Sequence, residues 1–167
     1  MSGGELSLHE MAARLRRLED IEAIRELKMA YCRALDGGWE PQGPSHMGDI
    51  GVLFLADGVW DGRPSSPYAR GREEIRAMVE SFRPVPFIMH VVTNPRITVD
   101  GDSAHGAWDV VLPMTSPAGQ PNLAFGSYDE IYARTAEGWR FRSLRFHLAG
   151  LTRLDNGYAA PEDTGMR

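Results

Sequence analysis

Three residues of this chain have the type and setting for proton chemistry: Tyr31, Asp36 and His90. His90 interrupts an apolar run, with Phe87, Ile88 and Met89 before it and Val91 and Val92 after it. Burial is therefore expected whichever way its strand faces. An imidazole with an ordinary pKa of about 6.5 suits a general base near neutrality. The same residue also reads as a core histidine with a satisfied hydrogen bond. Asp36 stands just before Gly37-Gly38 at the end of an amphipathic helix, where the dipole disfavours a carboxylate. It reads either as a solvent-facing helix end or as an acid with a compensating cation, and a histidine that becomes imidazolium during turnover is one such cation. Tyr31 lies on the apolar face of the same helix. It is five positions from Asp36, about 140° around an ideal helix, so the two share a face only if the last turn unwinds.

The elements that must position these groups follow from periodicity. Leu15, Leu18, Ile21, Ile24, Leu27, Tyr31 and Leu35 recur at steps of three and four, which predicts a helix from Leu8 to the glycine pair. "GGWEPQGPSHMG" is a turn-rich loop. Asp49 reads as the N-cap of a short helix over "DIGVLFLA", followed by a brief strand, "GVWDG", and a loop, "RPSSPYA". A second helix over "GREEIRAMVESF" carries acids in its first turn and must stop before Pro84 and Pro86. Four strand candidates complete the chain: "FIMHVVTNPRITVDG", "DSAHGAWDVVLPM", "NLAFGSYDEIYART" and "WRFRSLRFHLAGLT". Helices followed by an antiparallel meander argue an α+β layer fold in one domain spanning 1–167, with a core over about 8–154 and loose ends. Long strands must twist and curl, so helices packed on one face make a cone around an apolar pocket. Trp39, Trp60, Phe87, Trp108, Met114, Tyr128 and His147 are its candidate lining. Most of these are at least as simply read as core, and His147 is balanced between the pocket and the outer face. His46 and His105 read as surface positions.

Composition narrows the classes. The 43% hydrophobic and 25% charged fractions are those of an ordinary globular chain. The formal charge is −5 with scattered basic residues, so no nucleic-acid footprint is present. A single cysteine, Cys32, rules out a disulfide framework and a cysteine-based zinc site. No metal-ligand spacing, phosphate loop or GxSxG turn occurs, so neither a metal nor another cofactor is expected. No run approaches a membrane span, and a cytoplasmic location is the default.

Three stretches, "LEDIEAIRELKMAYCRALDGGW", "MHVVTNPRITVDGDSAHGAW" and "YDEIYARTAEGWRF", resemble the SnoaL-like branch of the nuclear transport factor 2-like superfamily. The N-terminal helix looks most like that of bile acid 7α-dehydratase, with scytalone dehydratase and hexachlorocyclohexane dehydrochlorinase more distant. The resemblance runs from about Leu18 to Leu148 and is most specific at Tyr-x4-Asp and His-x3-Asn. It implies a cone of about three helices on a curved, mostly antiparallel sheet. It further implies that Asp36 orients and charges His90, that His90 moves a proton on the substrate, and that Tyr31 hydrogen-bonds the substrate oxygen or the leaving hydroxyl. Two departures stand out. Leu112 falls where a bile acid dehydratase carries an acid, and Leu148 where it carries an arginine, with Arg145 and His147 nearby. Both predict a more apolar pocket. The function expected is a lyase (dehydratase) or isomerase acting on a hydrophobic polycyclic or polyketide-like carbonyl compound. A polyketide-type cyclase using the same groups, and a non-catalytic small-molecule binding module, are the alternatives. A homodimer or homotrimer formed through outer sheet faces is the expected assembly.

Overall fold

A computed structural model describes residues 6–37, 49–82 and 85–154. Helix α1 (Leu8–Leu35) opens with a capping box in which Ser7 and Glu10 satisfy each other's backbone N–H groups. Every residue from Leu8 to Glu19 is exposed. The helix is first tied down at Asp20, whose carboxylate takes Arg134 at 2.6 and 2.8 Å and the Trp139 indole N–H at 3.1 Å. Beyond it the buried side begins, with Ile24, Leu27, Lys28, Tyr31 and Cys32 facing the interior. The helix stops at Leu35, with Asp36 between it and the glycine pair, because Asp36 turns extended (φ −72°, ψ 136°). The Gly37 N–H then bonds the Ile88 carbonyl at 3.0 Å and pins the helix end to the sheet.

The segment expected as a short helix after Asp49 is only a single 3-10 turn, Ile50–Leu53, and strand β1 already begins at Phe54 (Phe54–Asp61). Phe54 is fully buried and its backbone pairs with Phe141, so tertiary burial overrides the local propensity. Strand β2 (Tyr68–Arg70) takes the end of the expected loop and pairs with β1. Helix α2 (Arg72–Glu80) follows Gly71, whose φ of 81° favours glycine, and buries Ile75, Met78 and Val79. The first long strand candidate is split into β3 (Phe87–Ile88) and β4 (Val91–Asp100). Strands β5 (Ser103–Thr115), β6 (Pro121–Thr135) and β7 (Gly138–Arg153) form the meander.

One seven-stranded sheet results, ordered β2-β1-β7-β6-β5-β3, with β4 also on β5. Among the described residues only the β1–β7 pair is parallel. Bulges at Thr93/Arg96, Phe125/Gly126 and Ile131/Tyr132 sharpen the curl. At the second, a Cβ on Gly126 would meet the His147 carbonyl oxygen at 2.0 Å, so the sheet bends there only around glycine. The architecture is thus the expected α+β cone; where about three helices were anticipated, the described residues hold two α-helices and a 3-10 turn. Its core lies between the helices and the concave face, around Ile24, Phe54, Ile75, Phe141 and Leu144.

Candidate active site

The break between β3 and β4 creates the site. Ile88 pairs with Met114 and Val91 with Val111, so Met89 falls opposite Pro113, which has no N–H to donate to a ladder. His90 is the next residue, and its N–H goes to Asp36 Oδ1 at 2.8 Å. The same oxygen meets His90 Nδ1 at 2.7 Å. The unwound end of α1 swings the carboxylate into this position, while Tyr31, one turn earlier, stays on the helix face. Asp36 and His90 are both buried, 6% and 8% exposed. A carboxylate against Nδ1 assigns the proton to that nitrogen and leaves Nε2 as the basic one. Burial pushes the His90 pKa below the ordinary imidazole value; the Asp36 carboxylate pulls against this, and the Lys28 charge adds to it. The ring is therefore neutral near neutral pH, the form a general base needs.

Tyr31 is buried, and its Oη accepts the Trp60 indole N–H at 2.8 Å. Its ring stands edge-on to those of His90 and Tyr128, each 6.1 Å away between centroids. Burial raises its pKa well above that of an ordinary phenol, so the hydroxyl stays protonated as a donor. Cys32 is buried behind the site with its thiol pushed up to about 12 by burial, which makes it a poor nucleophile.

Tyr31 and His90 border a cavity of about 170 Å3. Trp60, Met114 and Tyr128 from the expected lining are there, while Asp36 sits behind His90. Other expected residues lie elsewhere. Trp108 is buried deeper, bonding the Tyr132 hydroxyl at 3.2 Å. Phe87 does not line the cavity and its neighbour Ile88 does. His147 is exposed on the opposite side of β7 from Phe146, which faces the cavity. Trp39 lies outside the described residues. Leu112 lines the wall, and Leu148 packs half-buried against the core, so neither departure position brings a polar group there.

Sequence reasoning missed a buried polar cluster. Lys28 and Glu130, both with no exposed surface, are joined at 2.6 Å from Nζ to Oε1. Lys28 lies four residues after Ile24 and three before Tyr31 on the apolar stripe, and Glu130 alternates with inward-facing Tyr128 and Tyr132. A charge at a core-facing position of each pattern was the available signal. Among the described residues, no three His, Cys, Asp or Glu side chains converge as a metal site requires. No helix among them is long and apolar enough to cross a membrane.

The SnoaL-like domain model matches residues 16–145. Among solved structures, an NTF2-like protein with a cystatin-like fold from Novosphingobium aromaticivorans is 27% identical. It superposes with a TM-score of 0.73 over 87% of this chain and 92% of that one. The hexachlorocyclohexane dehydrochlorinase LinA-type3 from Novosphingobium barchaimii gives 21% identity and a TM-score of 0.75 over 89% and 99% of the two chains. A protein from Novosphingobium aromaticivorans provisionally named a scytalone dehydratase gives 19% and 0.69 over 83% and 89%. The comparison with curated proteins returned no match.

Proposed function

We propose that this chain, which belongs to the SnoaL-like domain family, is an acid–base lyase or isomerase acting on a hydrophobic, ring-bearing carbonyl compound. The observation that carries the reading is the buried Asp36–His90 contact at 2.7 Å, set beside Tyr31 on the wall of an apolar cavity. In this mechanism His90 Nε2 removes a proton from the carbon next to the substrate carbonyl. The resulting imidazolium is stabilised by Asp36. Tyr31 donates a hydrogen bond to the carbonyl oxygen as it becomes an enolate. If a hydroxyl lies on the β-carbon, the enolate collapses with its loss and the proton on His90 leaves with it as water. If a double bond lies there instead, His90 returns the proton at the far carbon and isomerises the compound. The dehydrochlorinases that share this fold carry an elimination in their name, which is the same reaction class. A base and a positioned donor together supply factors of about 10²–10⁴ and 10²–10³.

The test is to incubate the protein with a bicyclic β-hydroxyketone, and separately with a β,γ-unsaturated bicyclic ketone, in deuterated water. Proton exchange next to the carbonyl, loss of water and double-bond migration are then followed by NMR. Exchange that the wild-type chain catalyses and His90→Gln loses by at least about 100-fold supports the reading. Ligand binding with no exchange in either protein would sink it and leave a binding role.

A further inference from the structure

The acid–base reading uses Tyr31, Asp36 and His90, yet the most heavily buried charges among the described residues lie beside them. Lys28 and Glu130 have no exposed surface, and taking two ions out of water makes such a pair a poor device for stability. The pair is built into place from both sides. Glu130 also receives the Tyr132 hydroxyl, which itself accepts the Trp108 indole N–H at 3.2 Å. The Lys28 ammonium lies 3.3 Å from the centroid of the Tyr128 ring and 4.6 Å from that of Tyr31. Both rings line the cavity. A cation on the face of a phenol draws electron density from the ring, and a desolvated one does so strongly. The hydroxyl it acts on becomes a better hydrogen-bond donor, most of all to an oxygen that is gaining negative charge.

Resting on the acid–base reading of the cavity, we propose that Lys28, locked by Glu130, is a positioning residue: a fixed positive charge beneath the Tyr31 and Tyr128 rings that strengthens the phenol wall toward an anionic oxygen. It reaches the reaction through the tyrosines and touches no substrate itself. The same charge acts on His90, opposed by the Asp36 carboxylate, and among the described residues these are the two charged groups that act on that ring.

The experiment uses two probes of similar shape, 4-nitrophenolate and nitrobenzene, at a pH where the first is ionised. An apolar cavity by itself penalises the anion. The wild-type chain is expected to bind the phenolate about tenfold or more tighter than nitrobenzene, the size of a desolvated cation–aromatic contact. The double variant Lys28→Met/Glu130→Gln removes both charges at nearly constant volume, since either change alone would strand a buried ion. It is expected to lose that preference while its affinity for nitrobenzene holds within about twofold. The His90 ring titration, followed by NMR, should also move up in the variant, a change that a packing role would not produce. Equal loss of both probes with an unmoved His90 titration overturns the proposal. So does a wild-type chain with no preference for the anion, a result that needs no variant to fold. Failure of both probes to bind the wild type overturns the reading of the cavity itself. Absence of proton exchange alongside an intact anion preference overturns only the acid–base reading.

Discussion

Asp36 Oδ1 receives two donors from one residue, the ring and the backbone N–H of His90, so the carboxylate fixes both where the imidazole sits and which nitrogen carries the proton. Asp36→Asn would keep a polar group of the same shape but present an amide to Nδ1. On the proposed mechanism it should lower turnover by about 10²–10⁴ while substrate affinity changes little, as steady-state kinetics would read. Tyr31→Phe removes the hydroxyl proposed to donate to the substrate and also the acceptor for the Trp60 N–H. A loss of about 1–3 kcal/mol in stability from that stranded N–H should accompany its loss of activity, measurable by urea unfolding. The pH dependence follows from His90, whose folded pKa lies below the unfolded value of about 6.5. Between the two values the unfolded chain binds the extra proton, so the stability tied to the neutral ring is fully present above about pH 6.5 and drains as pH falls toward the folded pKa. His90→Gln should flatten that acid slope in unfolding experiments. The type and rough neighbourhood of these three residues were legible in the sequence. The pairing of Asp36 with His90 was expected only through the family resemblance, and spacing alone did not bring Tyr31 to the same place, because an ideal helix would hold Tyr31 and Asp36 about 140° apart.

Helix α1 behaves as two elements in one. Its outer half, Leu8–Glu19, is exposed and held by its own capping box, whereas its inner half is part of the core. Glu10→Ala should therefore fray the first turns and leave domain stability within about 0.5 kcal/mol, while Ile24→Ala should cost about 2–5 kcal/mol, as paired thermal melts would show. The 3.6-residue period revealed the helix but not this division, because apolar residues continue through the exposed half at the same spacing. The split between β3 and β4 was hidden for a related reason: apart from His90 the run from Phe87 to Val92 is apolar, with no glycine or proline to mark a break, and the interruption originates across the sheet, at Pro113 of β5.

At the scale of the whole molecule, the alternation of each strand shows which face a residue takes but not its depth in the cone. Met114, Tyr128 and Trp108 all face inward, yet the cavity occupies one end, and Trp108 belongs to the packed interior with Tyr132. Trp108→Phe should weaken the fold by about 1–2 kcal/mol and leave ligand affinity unchanged, whereas Trp60→Phe should change both; calorimetric titration beside thermal unfolding separates the cases. His147 illustrates the other limit. Its side is set by the register of β7 against β6, and bulges shift that register on the way.

Because α1 is anchored in the core from Ile24 onward and ends by delivering Asp36 to His90, the chain between them acts as a ruler of fixed length. One residue added or removed inside it would rotate the carboxylate by about 100° and shift it about 1.5 Å along the axis, out of reach of the imidazole. The same change before Asp20 would only lengthen or shorten the exposed half. When kindred chains are aligned, insertions and deletions should gather ahead of Asp20 and be missing between Ile24 and Asp36, a gap pattern that depends on geometry and not on which residues are retained.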